Sequence, residues 1–376
     1  MANYDVIVIG GGIVGAAAGY HLSRAGARAL LLDRADAGRA TAAGAGIIAP
    51  ESSKVESDDW FAFATAAVDT YPELVAQLQA DGAGETGYAA AEELIVAVSP
   101  DEDEPFAASR RRLLERQRRH GRPAPDDLAP IDSAAAQARF PGLAPLRHGL
   151  YHRRAARVDG RLLSAALRQG ALRHGLELRE ASVERLVAER GSITGVVAGG
   201  ETLAAGAWSA ELLAPLGVAL PLTPQRGQII HLSLPGVDTS TWPIITAFRG
   251  HYILPWPDSR VVVGATREFV GFTPQTTAAG VREVLDEALR VAPGLAGAAI
   301  AEIRVGLRPA TPDHLPILGA VPELPNLYLA TGHGANGLQL GPYSAKLVAQ
   351  LALGQRPERP LDVFALSRFG AEARPR

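Results

Sequence analysis

Short apolar runs that end in glycine clusters alternate along this chain with longer stretches of helical period. Tyr4 to Ile9 is a β-branched run closed by Gly10-Gly11-Gly12-Ile13-Val14-Gly15, and an Ala-rich stretch follows to Arg24, stopped by Gly26. A second apolar run, Ala29 to Leu32, ends on Asp33. This order predicts strand, turn, helix, strand. Residues 60–81 carry Phe61, Val68, Leu74 and Leu78 at helical spacing, and 93–98 read as a strand. Residues 105–120 predict a basic helix, with Leu113 and Leu114 on its buried side; Arg110, Arg111, Arg112, Arg116, Arg118 and Arg119 read as a solvated face, the alternative being a surface for an anion or acidic partner. Pro123 to Pro130 reads as a loop.

After Val158-Asp159-Gly160 the pattern predicts a helix from Arg161 to His174, a strand at Leu176 to Leu178, and a strand pair at 183–187 and 193–197. Gly206 turns into a helix to Leu213. Strands follow at 228–234, 252–254 and 260–263, then a helix at 279–291 and a strand at 300–305. Leu327 to Ala330 returns as a strand, Gly332, Gly334 and Gly337 form a turn, and a last helix is expected from Pro342 to Leu353. The Arg-rich tail after 366 is expected to fray. No internal repeat is found. The strand-rich middle lies between two nucleotide-type segments, so an inserted domain on a mixed sheet is expected.

The bulk numbers narrow the function classes. With 376 residues the chain has room for two domains. A net charge of −3 gives no global electrostatic case for nucleic acid. The absence of cysteine excludes disulfides, thiolate metal sites and a cysteinyl cofactor link. No run of about 18 apolar residues is present, so no spanning helix is expected. The N-terminus enters a strand without a basic segment and an apolar stretch before it, so a cytoplasmic protein is expected. No metal cluster is read from the scattered histidines.

In the first 34 residues the chemistry is local. Gly10 allows a tight turn, Gly12 lets the backbone approach a pyrophosphate, and Gly15 lets the helix pack on the strand. The helix N-terminus offers free N–H groups and the positive end of a dipole. Asp33 stands where a carboxylate can accept ribose hydroxyls. The bland alternative is a Gly-rich turn in an ordinary βα unit.

Eight segments in order resemble the D-amino-acid-oxidase-type flavoproteins, nearest the glycine oxidase and sarcosine oxidase branch. They are VIVIGGGIVG with LLLDR, TAAGAGIIAP, DGRLLSAALRQGALRHG, AAGAWS, RGQ, YILPWPDSRVVVGAT, GLRPATPDHLPILG and LYLATGHGANGLQLGPYSAKL. The resemblance covers nearly the whole chain. It implies an α/β fold, with a Rossmann-like FAD-binding domain and an inserted α+β substrate domain on a mixed β-sheet. The implied division is FAD-binding at 1–80, 151–215 and 311–376, and substrate domain at 81–150 and 216–310. The implied cofactor is non-covalent FAD; no histidine lies between Ala35 and Pro50, where some relatives link it. By resemblance, Gly10, Gly12, Ile13, Val14, Gly15, Asp33 and Arg34 hold the nucleotide. Thr41, Ala42, Gly44, Ala45, Gly46 and Ile47 lie against the ring, and Val183, Gly206 and Trp208 border the adenosine side. Gly332, His333, Gly334, Asn336, Gly337 and Leu338 approach the ring with the last helix. One departure is the shortened segment between Val197 and Ala205.

The implied reaction is oxidation of the C–N bond of an amino acid or N-substituted amino acid to an imine, with electrons passed to oxygen or another acceptor. The cofactor carries the hard step, so the protein mainly needs a carboxylate anchor. Arg308 matches the family's carboxylate-binding arginine and borders the flavin; a guanidinium fork fixes a carboxylate by two parallel bonds. Tyr252 matches the tyrosine that donates to the same carboxylate. His333 is expected to shape the ring environment, with a general-base role as a lesser option. His251 is expected to face away from Tyr252. Arg267 stands where the glycine-oxidase branch often has an apolar residue, and Ala335 where an arginine is common. Arg267 is therefore a candidate substrate contact for something other than glycine; the opposing reading turns it to solvent at the strand end, paired with Glu268 or another surface acid. The alternatives are a dehydrogenase of the same fold with a quinone or carrier acceptor, and an NAD-dependent dehydrogenase. Small-molecule amine substrates are expected and nucleic acid is not; a homo-oligomer is compatible with either choice.

Overall fold

The computed structural model describes residues 3–35, 37–198 and 206–370, and the expected short segment between Val197 and Ala205 falls largely outside them. The Ala29–Asp33 strand is buried at every position. Its period of two sends Ala29 and Leu31 into one core and Leu30 and Leu32 into another. It lies at the centre of a three-stranded parallel sheet, between Val6–Ile9 and Glu177–Glu180. The first core is closed by the helices Ile13–Arg24, Gly160–Arg173 and Gly337–Ala352, through residues such as Ala16, Ala17, Leu163, Leu167 and Ala345. The second is covered by the antiparallel pair Val183–Glu189 and Ser192–Ala198, and by Ile317–Val321 paired with Leu324–Thr331. This is the α/β, Rossmann-like unit that the sequence predicts.

A nine-stranded mixed sheet carries the other half of the described molecule. Its order is Ala299–Ala310, Thr223–Ser233, Arg260–Gly264, Tyr252–Trp256, Ile244–Thr246, Ala89–Ala97, His148–Arg157 and Ile47–Ile48, with Leu128–Pro130 also paired to His148–Arg157. Among these, Ile244–Thr246 and Ala89–Ala97 run parallel, and the other pairs run antiparallel. Ile230, Leu232, Val261 and Val263 turn one face toward Val284, Ala288 and Val291 of the helix Ala278–Val291. Ile229, Leu254, Val262 and Trp256 fill the opposite face.

Several elements differ from the sequence expectation. Residues 60–81 form two helices, Asp58–Asp69 and Tyr71–Ala80, because Pro72 suits the first turn of a new helix and not the interior of an old one. The expected loop at Pro123–Pro130 contains the Leu128–Pro130 strand. Of the two leucines assigned to the buried side of the basic helix, Leu113 is buried and Leu114 is exposed. That helix, Asp103–His120, is not simply a solvated cationic face. Arg116 is buried and donates to the carbonyls of Glu51 and Ser53 at 2.7 and 2.8 Å, and to Val55. The tail does not fray at once after 366, since Leu366 is buried and Arg368 pairs with Asp313 at 2.7 Å. No described helix is long and apolar enough to cross a membrane.

The last helix starts at Gly337, five residues before the expected Pro342. Proline lacks the N–H that would bond the carbonyl four residues back, Leu338 O. The Tyr71 hydroxyl donates to that carbonyl from the neighbouring helix. The helix therefore runs through its proline and presents its N-terminus to the site.

Candidate active site

One cleft of about 640 Å³ runs from the Gly10–Gly15 turn to the mixed sheet, within the roughly 300–1,000 Å³ of small-molecule and cofactor sites. At its nucleotide end, Gly15 is required by close approach: a Cβ there would lie 1.8 Å from Gly10 O. The glycine turn can therefore close onto the helix start and leave its amide face open to the cleft. Asp33 is buried. Its Oδ2 accepts from Arg39 Nη2 at 2.7 Å and from Arg168 Nη2 at 3.2 Å. Arg168 also donates to Gly11 O, so this arginine ties the strand end to the turn. The Thr41 hydroxyl accepts from Ile13 N at 2.9 Å, which caps the first helix from the small-residue loop.

That loop is the bridge between the two halves. Leu307 N donates to Gly38 O at 2.9 Å, which joins residue 38 to the strand that carries Arg308. Arg308 lies on the Ala299–Ala310 strand, longer than the expected 300–305, and not on a loop after it. It pairs in register with Gln225, and its guanidinium lies over Gly227, where a Cβ would come within 2.3 Å of Nη2. Arg308 Nη1 donates to Thr266 O at 3.0 Å and to Gln225 Oε1 at 3.3 Å. No carboxylate among the described residues pairs with it. Burial pulls its pKa below the usual arginine value, against the pull of Tyr252, and Arg267 adds to the decrease. Burial pushes the Tyr252 phenol up, with Arg308 and Arg267 opposing. Tyr252 therefore keeps its proton at neutral pH and can donate it in a hydrogen bond. Its hydroxyl stands beside Gly264, its antiparallel partner, where a Cβ would lie 2.9 Å away.

The cleft collects most of the residues the sequence singles out. Gly10, Gly12, Ile13, Val14, Gly15, Asp33, Thr41, Gly44, Ala45, Gly46 and Ile47 line it, with Gly206 and Trp208 on the opposite wall. Tyr252, Arg267, Arg308, His333, Gly334, Gly337 and Leu338 line its other end. Arg34, Ala42, Val183, Gly332 and Asn336 do not form part of its wall. Val183 is buried in the second core as a strand residue. Trp208 is not plain core, since its ring stacks on Phe272 with centroids 5.5 Å apart at the cleft wall. The His333 ring turns into the protein, where Nε2 meets Ser344 Oγ at 2.9 Å. Burial drives its pKa down to about 4, so it is neutral and engaged. His251 bonds Arg249 O through Nδ1 and lies near Glu283, away from the Tyr252 hydroxyl as expected.

Arg267 is exposed at the rim of the cleft, as the opposing reading has it, but it does not pair with Glu268. Glu268 is taken by Arg226, by Gln228 Nε2 at 2.7 Å and by Thr266 Oγ1 at 2.7 Å, and its carboxyl is held down to about 2, mainly by the Arg226 bond. Arg39, Arg168, Gly227, Gln225 and Thr266 were not legible as site residues. Their roles arise from contacts between segments far apart in sequence; Arg168, Gly227 and Thr266 lie in segments that carry the resemblance, which marks the segments and not these roles. No group of His, Cys, Asp and Glu among the described residues could hold a metal ion.

The residues present fit FAD. A glycine turn at a helix start, a buried carboxylate at the next strand end and a wall of small residues form one continuous cleft ending at the half-buried Arg308 guanidinium. The family model described as FAD dependent oxidoreductase matches residues 5–351. An uncharacterized oxidoreductase of Bacillus subtilis, YurR, is 38% identical over 369 residues, 95% of this chain and 97% of that protein. A glycine oxidase of Pseudomonas aeruginosa is 33% identical over 366 residues, covering 94% and 95%. The crystal structure of iminodiacetate oxidase from Chelativorans sp. BNC1 superposes with a TM-score of 0.88 at 38% identity, covering 96% and 98%.

Proposed function

The chain belongs to the FAD dependent oxidoreductase family, and we propose that Arg308 and Tyr252 hold the carboxylate of an amino acid or N-substituted amino acid while its C–N bond is oxidised to an imine. When bound, FAD supplies the two-electron acceptor for that step. The Gly10–Gly15 turn and Asp33 would hold its nucleotide, and the small residues from Thr41 to Ile47, with the start of the last helix, would border its ring.

The observation that carries the reading is Arg308: a half-buried guanidinium with no carboxylate partner among the described residues, at the end of the same cleft as the nucleotide cradle. It can offer two parallel N–H groups to a carboxylate, which fixes the α-carbon beside it. The Tyr252 hydroxyl adds a third donor. Neither group needs to move a proton. His333 is neutral and bonded to Ser344, so it positions the turn before the last helix rather than acting as a base.

Oxygen is the acceptor in this proposal, supported by two relatives that are named oxidases. The five-segment division of the chain is part of the same proposal. The two sheets and the 38–43 bridge between them support it.

The test is anaerobic mixing of the yellow protein with glycine, sarcosine and D- and L-amino acids, followed by air. Bleaching by at least one amine, an oxo acid product and hydrogen peroxide on re-oxidation are expected. Bleaching that air does not reverse, but a quinone does, would make it a dehydrogenase. No bleaching by any amine would overturn the reading. Acid precipitation should leave the flavin in the supernatant, and a yellow pellet would refute non-covalent binding.

A further inference from the structure

We propose that Arg267 is a second carboxylate anchor in this cleft, and that the preferred substrate is a dicarboxylic amine. The inference rests on the reading above, in which Arg308 and Tyr252 take the first carboxylate.

The geometry places both cations at one opening. Thr266 O accepts from Arg308 Nη1, and Arg267 is the next residue in the chain. Its side chain lines the same cleft and crosses to the segment that leads into the Tyr252 strand, where Nη1 donates to Gly250 O at 2.8 Å. A Cβ on Gly250 would lie 2.6 Å from that nitrogen, so glycine there makes room for the guanidinium. The Gly250 carbonyl uses one donor of five and leaves the rest of the fork for a ligand.

No acid among the described residues forms an ion pair with this arginine. The adjacent carboxylate, Glu268, is fully used by Arg226, Gln228 and Thr266. Arg267 is close enough to Arg308 and Tyr252 for its charge to act on both. It also acts on Lys54, which is pulled down by desolvation, by Arg267 and by Arg112. Lys54 is exposed and does not line the cleft, so the converging pair is Arg267 and Arg308. Like charges converging on one cleft repel unless a ligand brings compensating charge. Glycine or sarcosine brings one carboxylate, which Arg308 takes. A substrate with a second carboxylate answers both cations.

The matched probes are iminodiacetate, its neutral monoamide and sarcosine; D- and L-aspartate against D- and L-alanine separate a carbon-linked from a nitrogen-linked second acid. Half-saturation for anaerobic flavin bleaching should be about 5- to 30-fold lower for at least one dicarboxylate than for its uncharged partner. Arg267→Met should collapse that ratio toward one, and Arg267→Lys should retain part of it. Non-oxidisable probes give a second readout: diglycolate should perturb the flavin spectrum at lower concentration than methoxyacetate, with the same dependence on Arg267. Equal handling of every charged and uncharged pair by the parent, or an Arg267→Met effect that leaves the ratio intact, would overturn the proposal. If no amine bleaches the flavin, the reaction assignment fails, and the diglycolate comparison still decides the anchor.

Discussion

Arg308 is a half-buried charge on the cleft wall, and its partners set what its loss should cost. It is held by neutral acceptors, Thr266 O and Gln225 Oε1, with the glycine at 227 leaving its face open. Neutral acceptors orient a guanidinium without cancelling its charge, so the field stays available to a ligand. Removing a bidentate, charge-assisted pair from such a site costs about 2–4 kcal/mol, roughly 30- to 1000-fold. Arg308→Leu should raise the apparent KM for the best substrate within that range while the protein stays yellow. Near-normal kcat/KM in this variant would move the anchor elsewhere. The neighbouring His333 gives a contrast. Its pKa is driven down to about 4 by burial, so the rate profile between about pH 5 and 8 should carry no step that disappears in His333→Asn.

Among the elements, the last helix shows most clearly how distant residues decide a local structure. Pro342 leaves Leu338 O without its intrahelical donor, and Tyr71 supplies one from another helix. Tyr71→Phe should therefore destabilise the holoprotein by about 1–3 kcal/mol, the cost of an unsatisfied buried carbonyl. Pro342→Ala restores the N–H, so in that background the cost of Tyr71→Phe should shrink. Urea unfolding of the four proteins in this cycle measures the coupling, and additive costs would reject the compensation. The same contact explains what sequence reading missed. A proline reads locally as a helix start, and nothing near residue 342 announces a tyrosine at 71. The Ala29–Asp33 strand was legible as a short apolar run between turn residues, and the pair at 183–198 because its alternation agrees with the final structure. The His148–Arg157 strand was not, since its inward positions include His152 and Arg157, polar residues whose burial depends on other strands. For the site, the glycine turn, Asp33, Arg308 and Tyr252 could be named from motifs. Arg39, Arg168 and Gly227 act through pairings that form only when the chain closes.

For the whole molecule, the mixed sheet must hold Tyr252 and Arg308 in register while the parallel sheet holds the nucleotide turn, and one buried polar cluster sits within the mixed sheet. Glu93 and His152 are fully buried on adjacent strands, with His152 Nδ1 3.1 Å from Glu93 Oε2. Thr246, on the parallel neighbour, donates to Glu93 Oε1 at 2.7 Å. The cluster thus joins the segments around 93, 152 and 246, and the last of these leads through Gly250 to Tyr252. Burial pulls the His152 pKa down, but the bond to Glu93 and its charge outweigh that, and the net shift is upward from 6.5. A raised folded pKa means that the folded state binds the proton more tightly than the unfolded chain does. Its contribution to stability is therefore full below the unfolded value of about 6.5 and is lost as pH rises through the higher folded value. The urea midpoint of the holoprotein should fall from pH 6 toward pH 9, and His152→Asn, which can still donate to Glu93 but does not titrate, should flatten that fall. The subtraction of the two curves isolates His152 from the remaining titrating groups. Parallel curves would mean that His152 carries no linked proton, and the cluster would then hold its three strands by hydrogen bonds from a neutral imidazole and from Thr246 to Glu93.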